Sequence, residues 1–120
     1  MKILIVEDED DLRTLIVSFL KIKKSGEIFS TAFGQEAIAL IEQNKPDIVF
    51  LDIQLADSVD GMTVLGKSRD ISPQTKIVMM SANYMEYGES ALKLGAVQFL
   101  RKPVQTSQIL KVIEEIREKK

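Results

Sequence analysis

Along this chain, unbroken apolar runs alternate with stretches whose apolar residues return every three or four positions. Ile3-Leu4-Ile5-Val6, Ile48-Val49-Phe50-Leu51 and Ile77-Val78-Met79-Met80 are runs of the first kind. A strand without polar alternation is buried on both faces, the condition of a central strand in a parallel sheet. Glu27 to Ala32 reads as a more polar strand suited to a sheet edge, and Val97-Gln98-Phe99-Leu100 as a short last one. Between them Leu12, Leu15, Ile16, Phe19 and Leu20 return at helical spacing, as do Ala37, Ile38, Leu40 and Ile41. Met62, Val64 and Leu65 repeat the pattern, and so do Ile109, Val112, Ile113 and Ile116. A further helix, Tyr84 to Leu94, has a thin apolar face and carries Gly88, which costs about 1 kcal/mol relative to alanine. Five strands alternating with five helices predict an α/β fold with a parallel sheet, in one domain spanning residues 1–120.

Polar residues punctuate these elements. After the first strand come Glu7-Asp8-Glu9-Asp10-Asp11, five acidic residues in a row. Asp10 and Asp11 are expected to cap the first helix, where negative charge suits the dipole. Mutual repulsion leaves no reason for all five to do so; Glu9 is expected in solvent and Glu7 and Asp8 at the sheet edge. The first helix should stop near Lys23-Lys24-Ser25-Gly26, with basic residues before a glycine. Gly34-Gln35 opens the second helix, Gly66 interrupts the third, Pro73 marks a return turn and Gly95 closes the fourth. Glu114, Glu115, Arg117, Glu118, Lys119 and Lys120 form the solvated side of the last helix.

Composition narrows the chemistry. A chain of 120 residues with 45% apolar and 28% charged residues can bury a proper core without staples. It has neither cysteine nor histidine, so disulfides, thiolate sites and the usual zinc ligands are excluded, and any metal must be a hard one held by oxygen. A net charge of −2 gives no field favouring nucleic acid. No apolar stretch approaches a membrane span or a signal peptide, so a cytoplasmic location is expected.

What remains is a set of polar residues at strand ends. Asp8 follows the first strand, Asp52 ends the third, Ser81 ends the fourth and Lys102 follows the fifth. Open α/β sheets bind ligands at that edge. Taken singly, each has a plain reading: Asp52 a turn residue, Asp8 a cap, Ser81 turn chemistry, Lys102 a solvated loop lysine. If the first and third strands are neighbours, as in the order 2-1-3-4-5 of flavodoxin-like sheets, the two carboxylates share one pocket rimmed by Ser81 and Lys102.

In that setting Ile3-Leu4-Ile5-Val6-Glu7-Asp8-Glu9, Pro46-Asp47-Ile48-Val49-Phe50-Leu51-Asp52-Ile53, Ser81-Ala82 and Lys102-Pro103 resemble the receiver domain of two-component response regulators. The likeness runs through the whole chain, with the motifs in order and at matching intervals. It implies a doubly wound (βα)5 fold and a phosphoacceptor rather than an enzyme with turnover. Asp52 would take a phosphoryl group from a phosphohistidine of a histidine kinase or phosphotransfer protein. Mg2+ would be held by Asp8, Asp52, Glu7 through water and the Gln54 backbone carbonyl. Lys102 would pair with a phosphoryl oxygen, Ser81 would donate its hydroxyl to another, and Phe99 would shift as Ser81 moves, altering the face around residues 84–105. Gln54 and Asn83 would tune the access of water, and a phosphorylation-dependent dimer is compatible with such a switch. Neither direct nucleic-acid binding nor membrane contact is implied.

The chain departs from the family after Asp52. Ala56 stands near the usual proline, Leu55 to Gly61 is one residue longer, and Asp57 and Asp60 add negative charge near the pocket. Two other functions fit parts of the pattern. A degenerate receiver that only docks would not need all four pocket residue types. A phosphatase of the haloacid dehalogenase type would have a second aspartate where Gln54 stands. The chain ends with its last helix, which suits a free-standing receiver or a receiver cut from a longer regulator.

Overall fold

The computed structural model describes residues 1–118. The chain runs β1 (Lys2–Val6), α1 (Asp10–Ile22), β2 (Glu27–Thr31), α2 (Gly34–Asn44), β3 (Ile48–Asp52), α3 (Gly61–Ile71), β4 (Lys76–Ser81), α4 (Tyr84–Lys93), β5 (Gln98–Arg101) and α5 (Thr106–Glu118). All five strands pair in parallel in the order β2-β1-β3-β4-β5, the expected flavodoxin-like arrangement.

Successive side chains of a strand leave opposite faces of the sheet, and here both faces are covered. Leu4, Val6, Val49, Leu51, Ile77 and Met79 pack on Ala37, Ile41, Val64, Leu65 and Ala91 of α2, α3 and α4. Ile3, Ile5, Ile48, Phe50, Val78 and Met80 pack on Ile16, Leu20, Ile109, Val112 and Ile113 of α1 and α5. The unbroken apolar runs are therefore the two half-cores of a doubly covered sheet. Burial of one such side chain contributes roughly 2 kcal/mol, so strand position and register are firmly held. Edge strand β2 is the more polar one, with only Thr31 buried.

Element ends differ from expectation in several places. Glu9, not Asp10 or Asp11, is the N-cap of α1, and it makes no side-chain capping bond. The Arg13 guanidinium donates to the Glu7 carbonyl at 2.8 Å and to Asp10 Oδ1 at 2.7 Å, bracing this first turn. Asp10 and Asp11 thus act on the dipole from inside the first turn. At the other end Lys24, with φ 53°, takes the left-handed turn ahead of Gly26. Gly26 is needed two residues later, where a Cβ would collide with the Met1 carbonyl. Helix α3 runs without interruption through Gly66, whose missing side chain faces open space. Strand β5 sits one residue later than expected, which pairs Arg101 with Ser81. Gly95 follows α4 with φ 108°, as its role as a closing residue requires. Arg117 is not simply solvated, since it donates to the Ser25 carbonyl at 2.7 Å. The solvated placement of Lys119 and Lys120 falls outside the described residues. No helix among the described residues is long and apolar enough to cross a membrane.

Candidate functional site

The carboxyl ends of β1, β3, β4 and β5 meet at one edge of the sheet. Val6 pairs with Leu51, so the residues after β1 stand beside Asp52, the last residue of β3. Asp8, Asp52, Gln54, Ser81, Ala82, Asn83 and Lys102 line a single pocket there. Every residue expected at the site except Glu7 and Phe99 lies on that lining. Asp52 is 6% exposed, and the pocket admits solvent from the side of the exposed Asp8. Its Oδ1 accepts the Ile53 N–H at 2.8 Å and its Oδ2 accepts from Lys102 Nζ at 2.9 Å.

Glu7 lies behind the pocket, with no exposed surface. Its backbone N–H still donates to the Thr31 carbonyl at 3.0 Å, so it extends β1 in all but name. Its Oε2 accepts the Glu9 N–H at 3.1 Å, and its Oε1 lies 2.8 Å from Lys102 Nζ. That second contact is ionic rather than a well-aligned hydrogen bond. Lys102 therefore stands between two carboxylates, one buried and one at the pocket floor.

Burial pushes the Glu7 carboxyl up to about 7, with the charge of Asp52 adding to the rise and Lys102 opposing it. For Lys102, burial works against the ammonium, but the paired Glu7 and Asp52 outweigh it and hold its pKa above the usual value. The ammonium is thus a fixed cation. Glu7, Asp8 and Asp52 each offer a carboxylate oxygen, and these atoms lie within 4.8 Å of one another. An oxygen-only donor set, with one buried oxygen short of a good donor, fits a small hard divalent cation.

On the β4 side, Ser81 Oγ accepts the Asn83 N–H at 3.1 Å, and the Lys102 N–H donates to the Ser81 carbonyl at 3.0 Å. The hydroxyl is thereby tied to the N-cap residue of α4. Phe99 does not reach the pocket. It is half-buried on the α4 side of the sheet, its ring edge-on to Tyr84 at 5.2 Å with an interplanar angle of 84°. The Arg101 guanidinium covers the Tyr84 ring at 4.6 Å. Beneath that ring, a Cβ on Gly88 would come within 2.5 Å of it.

The longer segment after Asp52 is organised by its acids. Asp60 caps α3, accepting the Thr63 N–H at 2.9 Å. Asp57 reaches across to α2, where Oδ1 accepts the Gly34 N–H at 2.7 Å and Oδ2 the Gln35 N–H at 3.0 Å. The amide of Gln35, joined by that of Gly34, holds the Asp57 carboxyl below its usual value against the opposing effect of burial. Asp57 and Asp60 both serve helix N-termini, and neither lines the pocket.

Residues 3–114 match the family model of the response regulator receiver domain. The chain belongs to this family. Over 116 residues the receiver is 33% identical to a chemotaxis protein CheY of Listeria monocytogenes, covering 96% of this chain and 97% of that one. Over 121 residues it is 31% identical to the sensory transduction protein LytT of Bacillus anthracis, of which it spans 48%. The receiver domain of NtrX from Brucella abortus superposes with a TM-score of 0.88 at 32% identity, covering 98% of this chain and 99% of that one. Receivers are signalling modules of two-component systems, and this chain carries their fold and an acidic cluster at the expected edge.

Three features of the receiver were not read from its sequence. One is the pairing of Glu7 with Lys102; the available signal was that Glu7 directly continues a doubly buried strand. Another is the stack of Arg101, Tyr84 and Phe99, which depends on the register of β5. The bridge from Asp57 to α2 is the third. It joins residues more than twenty positions apart, and no local pattern announces it.

Proposed function

We propose that Asp52 of this receiver accepts a phosphoryl group from a phosphohistidine of a partner histidine kinase or phosphotransfer protein. The observation that carries this reading is the Asp52 carboxylate at the pocket floor, within 2.9 Å of the Lys102 ammonium and grouped with Asp8 and Glu7. An Asp52 oxygen attacks the phosphorus, a P–O bond forms as the P–N bond breaks, and the electron pair leaves on the imidazole nitrogen. Mg2+ would be held by Asp8, Asp52, Glu7 through water and the Gln54 carbonyl, and when bound it neutralises charge on the transferring group.

The chain's own residues do the rest. Lys102 follows the negative charge from the Asp52 carboxylate to a phosphoryl oxygen, acting as a point charge. Ser81 exchanges its bond from the Asn83 N–H for one it donates to the phosphoryl group, which loosens the start of α4. Phe99 then repacks against Tyr84, and the surface around residues 84–105 changes. Gln54 and Asn83, neutral amides at the pocket mouth, set how water reaches the acyl phosphate. The phosphorylated face serves an output partner or a second copy, in a cytoplasmic setting.

The test uses the purified chain with Mg2+ and a small-molecule phosphodonor. One acid-stable, base-labile phosphoryl group per chain is expected, and none on Asp52→Asn. Equal incorporation by Asp52→Asn would remove the assignment of the acceptor. Steady release of phosphate with no trapped phosphoprotein would point to a phosphatase, and no reaction at all to a docking module.

A further inference from the structure

The segment between Asp52 and Gly61 is held at two places, and Gln54 lies between them. At the inner end the Ile53 N–H donates to Asp52 Oδ1 at 2.8 Å, and the Gly61 N–H returns to the Ile53 carbonyl at 2.6 Å. A Cβ on Gly61 would collide with the Asp52 carbonyl, so the returning chain has no room to shift inward. At the outer end the Ala56 N–H donates to the Ala32 carbonyl at 2.9 Å. One residue on, the Asp57 carboxylate bridges the Gly34 and Gln35 amides at 2.7 and 3.0 Å. The Val59 carbonyl fills the space where a Cβ of Gly34 would stand, so segment and helix touch over several residues.

We infer that Asp57 is a positioning residue for the Asp52 pocket, fixing the Gln54 backbone carbonyl from outside by anchoring the β3–α3 segment to the first turn of α2. The inference rests on the phosphoacceptor reading, in which that carbonyl is a cation ligand. Ala56 puts no ring restraint on the backbone, so the restraint on Gln54 comes from its anchored neighbours. An ionised carboxylate facing two free helix amides is a strong local anchor. It reaches the pocket through a span of only three residues, Gln54 to Ala56. Coupling of this kind is reciprocal. A cation that draws the Gln54 carbonyl inward must also be felt at the Gly34 and Gln35 amides.

Mg2+ titration of the full chain by calorimetry, with amide hydrogen exchange at Gly34 and Gln35, tests this. Asp57→Ala is expected to weaken Mg2+ binding about fivefold, and Asp57→Asn, which keeps one acceptor oxygen, to recover part of the loss. In the unmodified chain, Mg2+ should slow exchange at Gly34 and Gln35. Ile41→Val, a core change further along the same helix, should lower stability and leave Mg2+ affinity unchanged. Unchanged Mg2+ affinity in a folded Asp57→Ala would overturn the inference while leaving the role of Asp52 intact. An equal loss in Ile41→Val would overturn it too, by reducing Asp57 to general stability. If the unmodified chain binds no Mg2+, the reading beneath the inference fails with it.

Discussion

Lys102 keeps apart two carboxylates that would otherwise face each other at the edge of the core. Its ammonium is 2.9 Å from Asp52 and 2.8 Å from Glu7, and those acids are 6% and 0% exposed. Removing the cation leaves like charges in a place where water screens them poorly. Lys102→Met keeps much of the apolar stem and deletes the charge, so its cost reports electrostatics rather than packing. A loss of about 2 kcal/mol is expected at about pH 8, below the usual cost for a fully buried pair because Lys102 is partly solvated. Near about pH 5 the loss should shrink, because Glu7, raised to about 7, holds a proton in either protein. Urea unfolding at the two pH values measures the difference. Equal losses would assign Lys102 a packing role instead. Position along the chain set Glu7 and Asp8 together at the sheet edge, but that Glu7 is the buried one of the two emerges only when the sheet covers it.

At the scale of an element, α4 shows why a glycine that looks like a weakness can be a fit. Its sequence suggested only a helix with a costly residue inside, yet Gly88 is buried and the Tyr84 ring lies over it. An ordinary Gly→Ala change within a helix gains about 1 kcal/mol. Here the new methyl would meet a ring already pressed between Phe99 and Arg101, so Gly88→Ala is expected to destabilise by about 1 kcal/mol. With Tyr84→Ala in the background the clash disappears, and Gly88→Ala should then stabilise. Thermal unfolding of the four proteins of this double-mutant cycle checks the change of sign. A gain in both backgrounds would mean that the ring moves aside freely. The strands were legible because burial on both faces leaves an unbroken apolar run, and a one-residue slip would turn each core face outward. The start of α1 was less legible, since its N-cap Glu9 makes no side-chain capping bond and Arg13 reaches back to Glu7 across that turn. Phe99 and Ser81 were visible as residues, but what braces them came from α4 and β5 meeting in space.

The whole molecule carries the energetic mark of its pocket, because a buried acid links folding to pH. Glu7 titrates at 4.5 when unperturbed and at about 7 in the fold. Below about pH 4.5 both the folded and the unfolded chain hold this proton, and Glu7 contributes nothing to the pH dependence. Between these values the unfolded chain releases the proton while the folded chain keeps it, so stability falls as pH rises. Above about 7 the folded chain carries a buried carboxylate at a cost of about 3 kcal/mol. A divalent cation held at the cluster would offset that cost and compete with the proton for the same acid. Magnesium at about ten times its dissociation constant at pH 8 should contribute about 1.4 kcal/mol. For a chain of this size that is a rise in Tm of about 5 °C. At about pH 6, where Glu7 is largely protonated, the same magnesium should raise Tm by only about 1–2 °C. Glu7→Gln removes the titration, so its magnesium-dependent rise should be the same at both pH values. A rise in the unmodified chain that does not depend on pH would uncouple Glu7 from the cation, and the cluster would then reduce to Asp8 and Asp52 with a buried acid behind them.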